Sequence, residues 1–199
     1  MEKPKWWGEF SPRHIDYLAG RGFNPERTIR EWKLFASGHQ APAGFTFRVI
    51  IPIYDEQDRI LSYTSRAISD KAKLKYKACP ETETTFSTKE CIYGLNNVLN
   101  DSILIVEGPT DVWKMGAGAV CPCGIAFTPR QIRILSAFTK RYILFDNEEE
   151  AQVRANTLGE ELDCFGGETW ILRNTEYKDP GEMPEAKARK LASRILQGR

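Results

Sequence analysis

The spacing of apolar residues changes along the chain. The first forty residues show helical spacing, with start signals at Ser11-Pro12 and Asn24-Pro25 that predict two short helices. Residues 44–68 consist of two β-rich runs, FTFRVIIPIYD and RILSYTSRAI, separated by a polar turn at 56–58. The first half of the chain is therefore predicted to contain helices followed by a β-hairpin.

After residue 100 the pattern becomes an alternation of strands and helices. The apolar runs SILIV, AVC, YILF and TWIL are separated by helical segments, one of which begins at Thr128-Pro129, and a final helix is predicted from Pro184. Uninterrupted apolar strands that alternate with helices are typical of a parallel sheet covered on both faces. We predict an α/β fold with four parallel strands in this half.

Carboxylates follow directly after the strands of this predicted sheet. SILIV runs into Glu107 and YILF into Asp146, and neighbouring parallel strands would place both at one edge. Further acids lie close in sequence, so that the predicted cluster consists of Glu107, Asp111, Asp146, Glu148 and Asp179. Oxygen ligands without histidine or cysteine favour Mg²⁺ or Mn²⁺ over zinc, and two such ions support in-line phosphoryl displacement.

A purely structural role is the alternative for each acid. Carboxylates near helix starts cap the helix and complement its dipole, and for Asp111, Glu149 and Glu150 taken singly this interpretation is favoured. Glu107 and Asp146 end apolar strands, so for these two the metal-binding interpretation is favoured.

Charge is distributed unevenly, although the net charge is only +1. Residues 59–89 carry seven Lys or Arg against three acids, a local net of +4, and residues 146–163 carry seven acids against one Arg, a net of −6. The basic zone is suited to binding an anionic polymer, and the acidic zone is suited to binding cations. Two solvated faces of opposite sign are the alternative.

The five cysteines show no framework spacing, which indicates reduced thiols and a cytoplasmic protein. The start MEKPKWWGEF lacks a signal-peptide pattern, and no apolar stretch has the length of a membrane span, so no membrane partner is expected.

Several motifs carry a family resemblance. LIVEGPTDVW, YILFDNE and YKDPGE resemble the TOPRIM domain of primases, topoisomerases and some nucleases. Upstream, IDYLAGRGFNPERTIREWKL, RVIIPIYDEQDRILSYTSRAI, LKYKACPETETTF and CIYGLNNV resemble, in the same order, the segments that precede TOPRIM in the RNA-polymerase core of DnaG-type primases. The resemblance implies an α+β subdomain over residues 1–100, a TOPRIM domain over 101–183 and a C-terminal helix over 184–199.

The resemblance also implies an activity, namely synthesis of short RNA primers on single-stranded DNA from NTPs with Mg²⁺ or Mn²⁺. It implies Glu107, Asp146 and Glu148 as catalytic residues and Asp179 as a further metal ligand. Asp111 is a predicted metal ligand only because of its position four residues after Glu107. The resemblance implies Arg66, Lys75 and Lys89 as ligands of template or nucleotide phosphates. Lys73 and Lys77 of the same basic stretch are predicted to join them, and Tyr76 can stack on a base.

The chain departs from the family pattern at Glu148, where the family has Asp, and at Glu149 and Glu150. The family's zinc-binding module and helicase-binding tail have no counterpart in the 199 residues. The expectation is either an excised core or a compact, phage-type primase that obtains a helicase and a zinc-binding module in trans. A TOPRIM nuclease and a degenerate module that binds nucleic acid or a replication protein remain the alternatives.

Overall fold

The computed structural model describes residues 1–124, 126–173, 177 and 180–198. The chain divides into two compact units, Met1–Thr88 and Lys89–Arg199. The boundary between the two compact units lies after Thr88, whereas the sequence resemblance implies a domain boundary after residue 100. None of the described helices is both long and apolar enough to cross a bilayer.

The first unit contains two helices and an antiparallel sheet of four strands in the order β1-β2-β3-β4. Its elements are α1 (Pro12–Gly20), α2 (Pro25–Glu31), β1 (Phe35–Ala36), β2 (Arg48–Tyr54), β3 (Ile60–Ala67) and β4 (Tyr76–Ala78). The predicted helices and the β2–β3 hairpin are confirmed. The sequence did not reveal β1 and β4, because strands of two or three residues carry no recognisable alternation.

Local sequence explains these elements. Pro25 stands at the first turn of α2, and the Asn24 side chain accepts a hydrogen bond from the Arg27 backbone N–H at 3.0 Å, which caps the helix. Every residue of β2 is buried. The core of this unit is aromatic: the rings of Trp7 and Tyr63 pack edge to face with centroids 5.1 Å apart.

The second unit is built on a five-stranded sheet in the order β5-β7-β6-β8-β9. Its strands are β5 (Ile92–Tyr93), β6 (Ser102–Ile105), β7 (Ala119–Pro122), β8 (Lys140–Ile143) and β9 (Glu168–Ile171). Its helices are α3 (Pro109–Met115), α4 (Pro129–Ser136), α5 (Glu149–Asp163) and α6 (Glu185–Leu196). The four later strands are parallel, as predicted, and β5 adds an antiparallel strand beside β7.

The pairing of β6 with β8 decides where the carboxylates emerge. The two strands are parallel neighbours, with Ile105 opposite Ile143. The strand β8 ends earlier than the apolar run YILF, yet the chain continues alongside β6, since the Leu144 N–H donates to the Ile105 carbonyl at 2.8 Å. Glu107 and Asp146 therefore follow the carboxyl ends of adjacent strands, at the same edge of the sheet.

Candidate active site

Glu107 is a partly buried carboxylate at the end of a buried strand. It follows the fully buried residues Ile105 and Val106, and its own side chain is 20% exposed. One oxygen, Oε2, lies 3.6 Å from Nη1 of Arg154. The other, Oε1, is buried and has no hydrogen-bond partner within the described part of the chain. A buried carboxylate oxygen without a donor is costly, and a bound cation would offset that cost.

Arg154 is a part of this site that the sequence patterns did not indicate. It lies on α5, and its guanidinium is 5.6 Å from the centroid of the Phe145 ring, directly before Asp146. The only signal in the sequence is that Arg154 is the single basic residue in the acidic stretch 146–163. Helical geometry turns it toward the strand ends, which local charge counting does not reveal.

The loop after β8 is held by two side-chain amides, one in the loop and one on α5. The Gln152 side-chain amide donates to the Asp146 carbonyl at 2.9 Å, and the Asn147 amide donates to the Tyr177 carbonyl at 2.9 Å. Asp146 is half-buried, whereas Glu148 is exposed and occupies the N-cap position of α5. The side chains of Glu149 and Glu150 are exposed in the first turn of that helix, where acids complement its dipole.

Asp111 acts as a helix cap. Its Oδ2 accepts the backbone N–H of Gly108 at 3.0 Å at the start of α3. This contact is the structural role that its position near a helix start suggested. It occupies one of the two oxygens that a metal ion would use.

The carboxylates do not form a complete metal-binding shell within the described residues. Across 1–124, 126–173, 177 and 180–198, no three His, Cys, Asp or Glu side chains stand close enough together to hold an ion. Asp179 lies outside the described residues. The donor chemistry nevertheless fits a hard divalent cation, because the candidate ligands at this edge offer carboxylate oxygens. Oε1 of Glu107 is also buried without a hydrogen-bond partner among the described residues.

A basic groove lies on the first unit. It encloses about 420 Å³ and carries three lysines among its lining residues, Lys71, Lys73 and Lys77. Lys77 is held in place, because its Nζ donates to the Ala43 carbonyl at 3.0 Å and lies 4.3 Å from the centroid of the Phe45 ring. Lys73 and Lys77 were predicted ligands, whereas Lys71 was recognised only as part of the basic zone.

Arg48 organises the walls of this groove. The side chain is buried, and its Nε donates to the Gly44 carbonyl at 2.8 Å while Nη2 donates to the Leu74 carbonyl at 2.9 Å. Gly44 and Leu74 both line the groove. One guanidinium therefore connects two loops that are thirty residues apart in sequence. The sequence patterns did not indicate this role, because a basic residue in a β-rich run is usually expected at the surface.

The remaining predicted ligands do not line this groove. Arg66 is 7% exposed and donates hydrogen bonds to the hydroxyls of Tyr17 and Tyr76. Lys75 is exposed, and its carbonyl accepts from Arg48 at 3.3 Å. Lys89 is exposed in a short 3₁₀ turn at the start of the second unit. The structure thus groups Lys73 and Lys77, and it buries Arg66.

Comparison with known proteins agrees with this architecture. The family model described as DNA primase catalytic core, N-terminal domain, matches residues 14–99. A DNA primase of Aquifex aeolicus is 29% identical over 149 residues, which cover 70% of this chain and 30% of that protein. The chain is similar to DnaG-type primases, and its residues 14–99 match the N-terminal domain of their catalytic core. It spans less than a third of the length of that curated relative.

Solved structures show the same fold. The zinc-binding and RNA-polymerase domains of the Aquifex aeolicus primase superpose with a TM-score of 0.78 at 22% identity, over 94% of this chain and 56% of that one. A DnaG primase catalytic domain bound to ssDNA gives a TM-score of 0.70 at 20% identity, over 94% of this chain and 73% of that one. The expected TOPRIM-type parallel sheet is thereby confirmed in a primase-core fold.

Proposed function

We propose that this primase core synthesises short oligoribonucleotides on single-stranded DNA from NTPs. The observation that carries the proposal is Glu107, whose buried Oε1 lacks a partner among the described residues at the carboxyl edge of the sheet, beside the strand that leads to Asp146. In open α/β sheets this edge is where ligands bind. The similarity of the chain to DNA primases supports metal-dependent nucleotidyl transfer at this position.

The metal-binding part of the proposal concerns five carboxylates: Glu107, Asp111, Asp146, Glu148 and Asp179. These residues would hold Mg²⁺ or Mn²⁺, which when bound supplies charge neutralisation for phosphoryl transfer. Glu107 offers a carboxylate that is already partly desolvated. The Gln152 amide holds the Asp146 carbonyl, and the Asn147 side chain is held by the Tyr177 carbonyl. Those contacts reduce the ordering that ligand binding requires.

The basic groove is the proposed site for the template or triphosphate phosphates. Lysines make phosphate contacts that do not depend on base sequence, and Arg48 fixes the loops that carry them. A related primase catalytic domain has been solved bound to ssDNA, which supports a DNA template here. Lys75, Lys89 and Tyr76 remain proposed secondary contacts. A replicative helicase and a zinc-binding module supplied in trans are proposed partners.

The test is a primer-synthesis assay on the full chain with single-stranded DNA, labelled NTPs and either Mg²⁺ or Mn²⁺. We expect metal-dependent oligoribonucleotides that are lost in Glu107→Gln, because that substitution removes the charge and preserves the shape. Glu185→Gln, on α6, is the matched control and should retain product.

The outcome separates the alternatives. Degraded template with no new RNA would indicate a TOPRIM nuclease. DNA binding without either product, also after a family zinc-binding module is added in trans, would indicate a binding module and contradict the proposed activity.

A further inference from the structure

The pair formed by Glu107 and Arg154 differs from an ordinary structural salt bridge. Structural arginine–carboxylate pairs approach to about 2.8 Å and are frequently bidentate. Here a single contact of 3.6 Å joins Oε2 to Nη1. Oε1 of Glu107 and Nε of Arg154 are both buried without hydrogen-bond partners in the described part of the chain. The guanidinium neutralises the carboxylate without occupying its hydrogen-bonding sites.

The position of Arg154 is maintained by contacts other than the carboxylate. Its guanidinium lies 5.6 Å from the Phe145 ring centroid, and Phe145 is 1% exposed in the core of the second unit. A cation over an aromatic face is stabilised by the ring. The Phe145 ring therefore helps to keep the positive charge beside Glu107 in addition to the attraction between the two side chains.

A fixed positive charge at this position opposes a second cation. A divalent ion that uses Glu107 would stand about 2 to 2.6 Å from a carboxylate oxygen, and the two like charges would share one partly buried carboxylate. Resting on the proposed function, we infer that Arg154 is the resident counter-cation of Glu107 and that it weakens divalent-metal binding at this edge of the sheet. Arg154 is thus a positioning residue that sets metal affinity.

The experiment measures Mn²⁺ binding to the full chain by the loss of the free-Mn²⁺ EPR signal, without nucleotide or DNA. Arg154→Gln should bind Mn²⁺ about fivefold more tightly than the wild type, since a partly exposed charge pair contributes up to about 1 kcal/mol. Arg154→Lys, which keeps the charge, should stay closer to the wild type. Arg133→Gln is the matched control, because it removes the same charge from an exposed site on α4.

Each outcome has a defined meaning. If Glu107→Gln weakens Mn²⁺ binding while Arg154→Gln leaves it unchanged or weaker, the inference is overturned and the proposed metal site stands. If Glu107→Gln leaves Mn²⁺ binding unchanged, the proposed metal site fails and the inference fails with it. Equal tightening in Arg154→Gln and Arg133→Gln would show a general effect of net charge and would also overturn the local role. Circular dichroism of each variant establishes that it is folded.

Discussion

Arg66 and Tyr76 stand opposite each other on β3 and β4, and the Arg66 guanidinium lies 4.8 Å from the centroid of the Tyr76 ring. The same guanidinium donates to the Tyr76 hydroxyl and to the Tyr17 hydroxyl on α1. It therefore joins the edge of the sheet to a helix. The family resemblance predicts phosphate binding for Arg66, and the fold gives the same guanidinium a structural role, because it holds an aromatic side chain in place.

This arrangement predicts that Arg66→Lys lowers the free energy of unfolding by about 1–3 kcal/mol, because a single ammonium cannot reproduce the planar fork that reaches both hydroxyls. Chemical denaturation measures the change. Tyr17→Phe and Tyr76→Phe each remove one acceptor and should lose about 1 kcal/mol. Arg66→Lys with wild-type stability would contradict the assigned structural role.

The basic groove predicts a specific change in the salt dependence of DNA binding. If Lys73 and Lys77 contact phosphates, each Lys→Ala substitution should reduce the slope of log affinity against log salt by about 0.7 for a single strand. Fluorescence anisotropy with labelled single-stranded DNA over a salt series gives the slopes. Lys5→Ala is the control, since Lys5 is exposed and does not line the groove. An unchanged slope in Lys73→Ala and Lys77→Ala would exclude the groove as the phosphate site.

His14 predicts a pH dependence of stability. Its side chain is 2% exposed, and burial lowers the pKa of the imidazole below its usual 6.5. The unfolded chain therefore binds a proton at a higher pH than the folded chain does. Stability is complete above about pH 6.5 and falls as the pH decreases toward the folded pKa, with a slope of up to about 1.4 kcal/mol per pH unit.

The comparison that isolates this effect is His14→Gln, which does not titrate. Urea unfolding at pH 5, 6, 7 and 8 should show a smaller loss of stability for the variant between pH 6.5 and 5 than for the wild type. Parallel curves for the two proteins would show that folding leaves the pKa of His14 unchanged and would contradict the prediction. The Nδ1 atom lies 2.8 Å from the Ser11 hydroxyl, so Ser11→Ala tests whether that contact contributes.

The parallel sheet was predictable and the short strands were not. The runs SILIV and YILF are apolar throughout, so their burial on both faces follows from composition alone, and the helices between them require parallel pairing. Strand β5 contains only Ile92 and Tyr93, and it exists because it pairs with β7. A pairing of two residues depends on tertiary context and leaves no periodic signal in the sequence.

The site was partly predictable, because some of its residues are marked by apolar strands and others depend on tertiary packing. Glu107 and Asp146 could be assigned because they follow apolar strands, and strand ends converge by geometry. Arg154 could not, since its relation to Glu107 depends on how α5 lies against the sheet. Arginines are mostly exposed, so the sequence gives no sign that the guanidinium groups of Arg48 and Arg66 are buried and donate to carbonyls and hydroxyls.

Two adjacent glycines before β9 provide a matched test of the sheet that supports the site. Gly167 has φ +98°, and a Cβ placed there would lie 2.7 Å from the Thr139 carbonyl oxygen, a backbone atom that also accepts the Glu168 N–H at 2.7 Å. Gly167→Ala should lower the free energy of unfolding by more than about 1 kcal/mol, because both the φ angle and the close approach exclude a side chain. A Cβ at Gly166 would meet open space, and φ is not positive there, so Gly166→Ala should change stability by less than about 1 kcal/mol.

Urea unfolding of the two variants side by side measures the difference in stability. Equal destabilisation would show that the contact with Thr139 matters less than the end of α5, which both glycines follow.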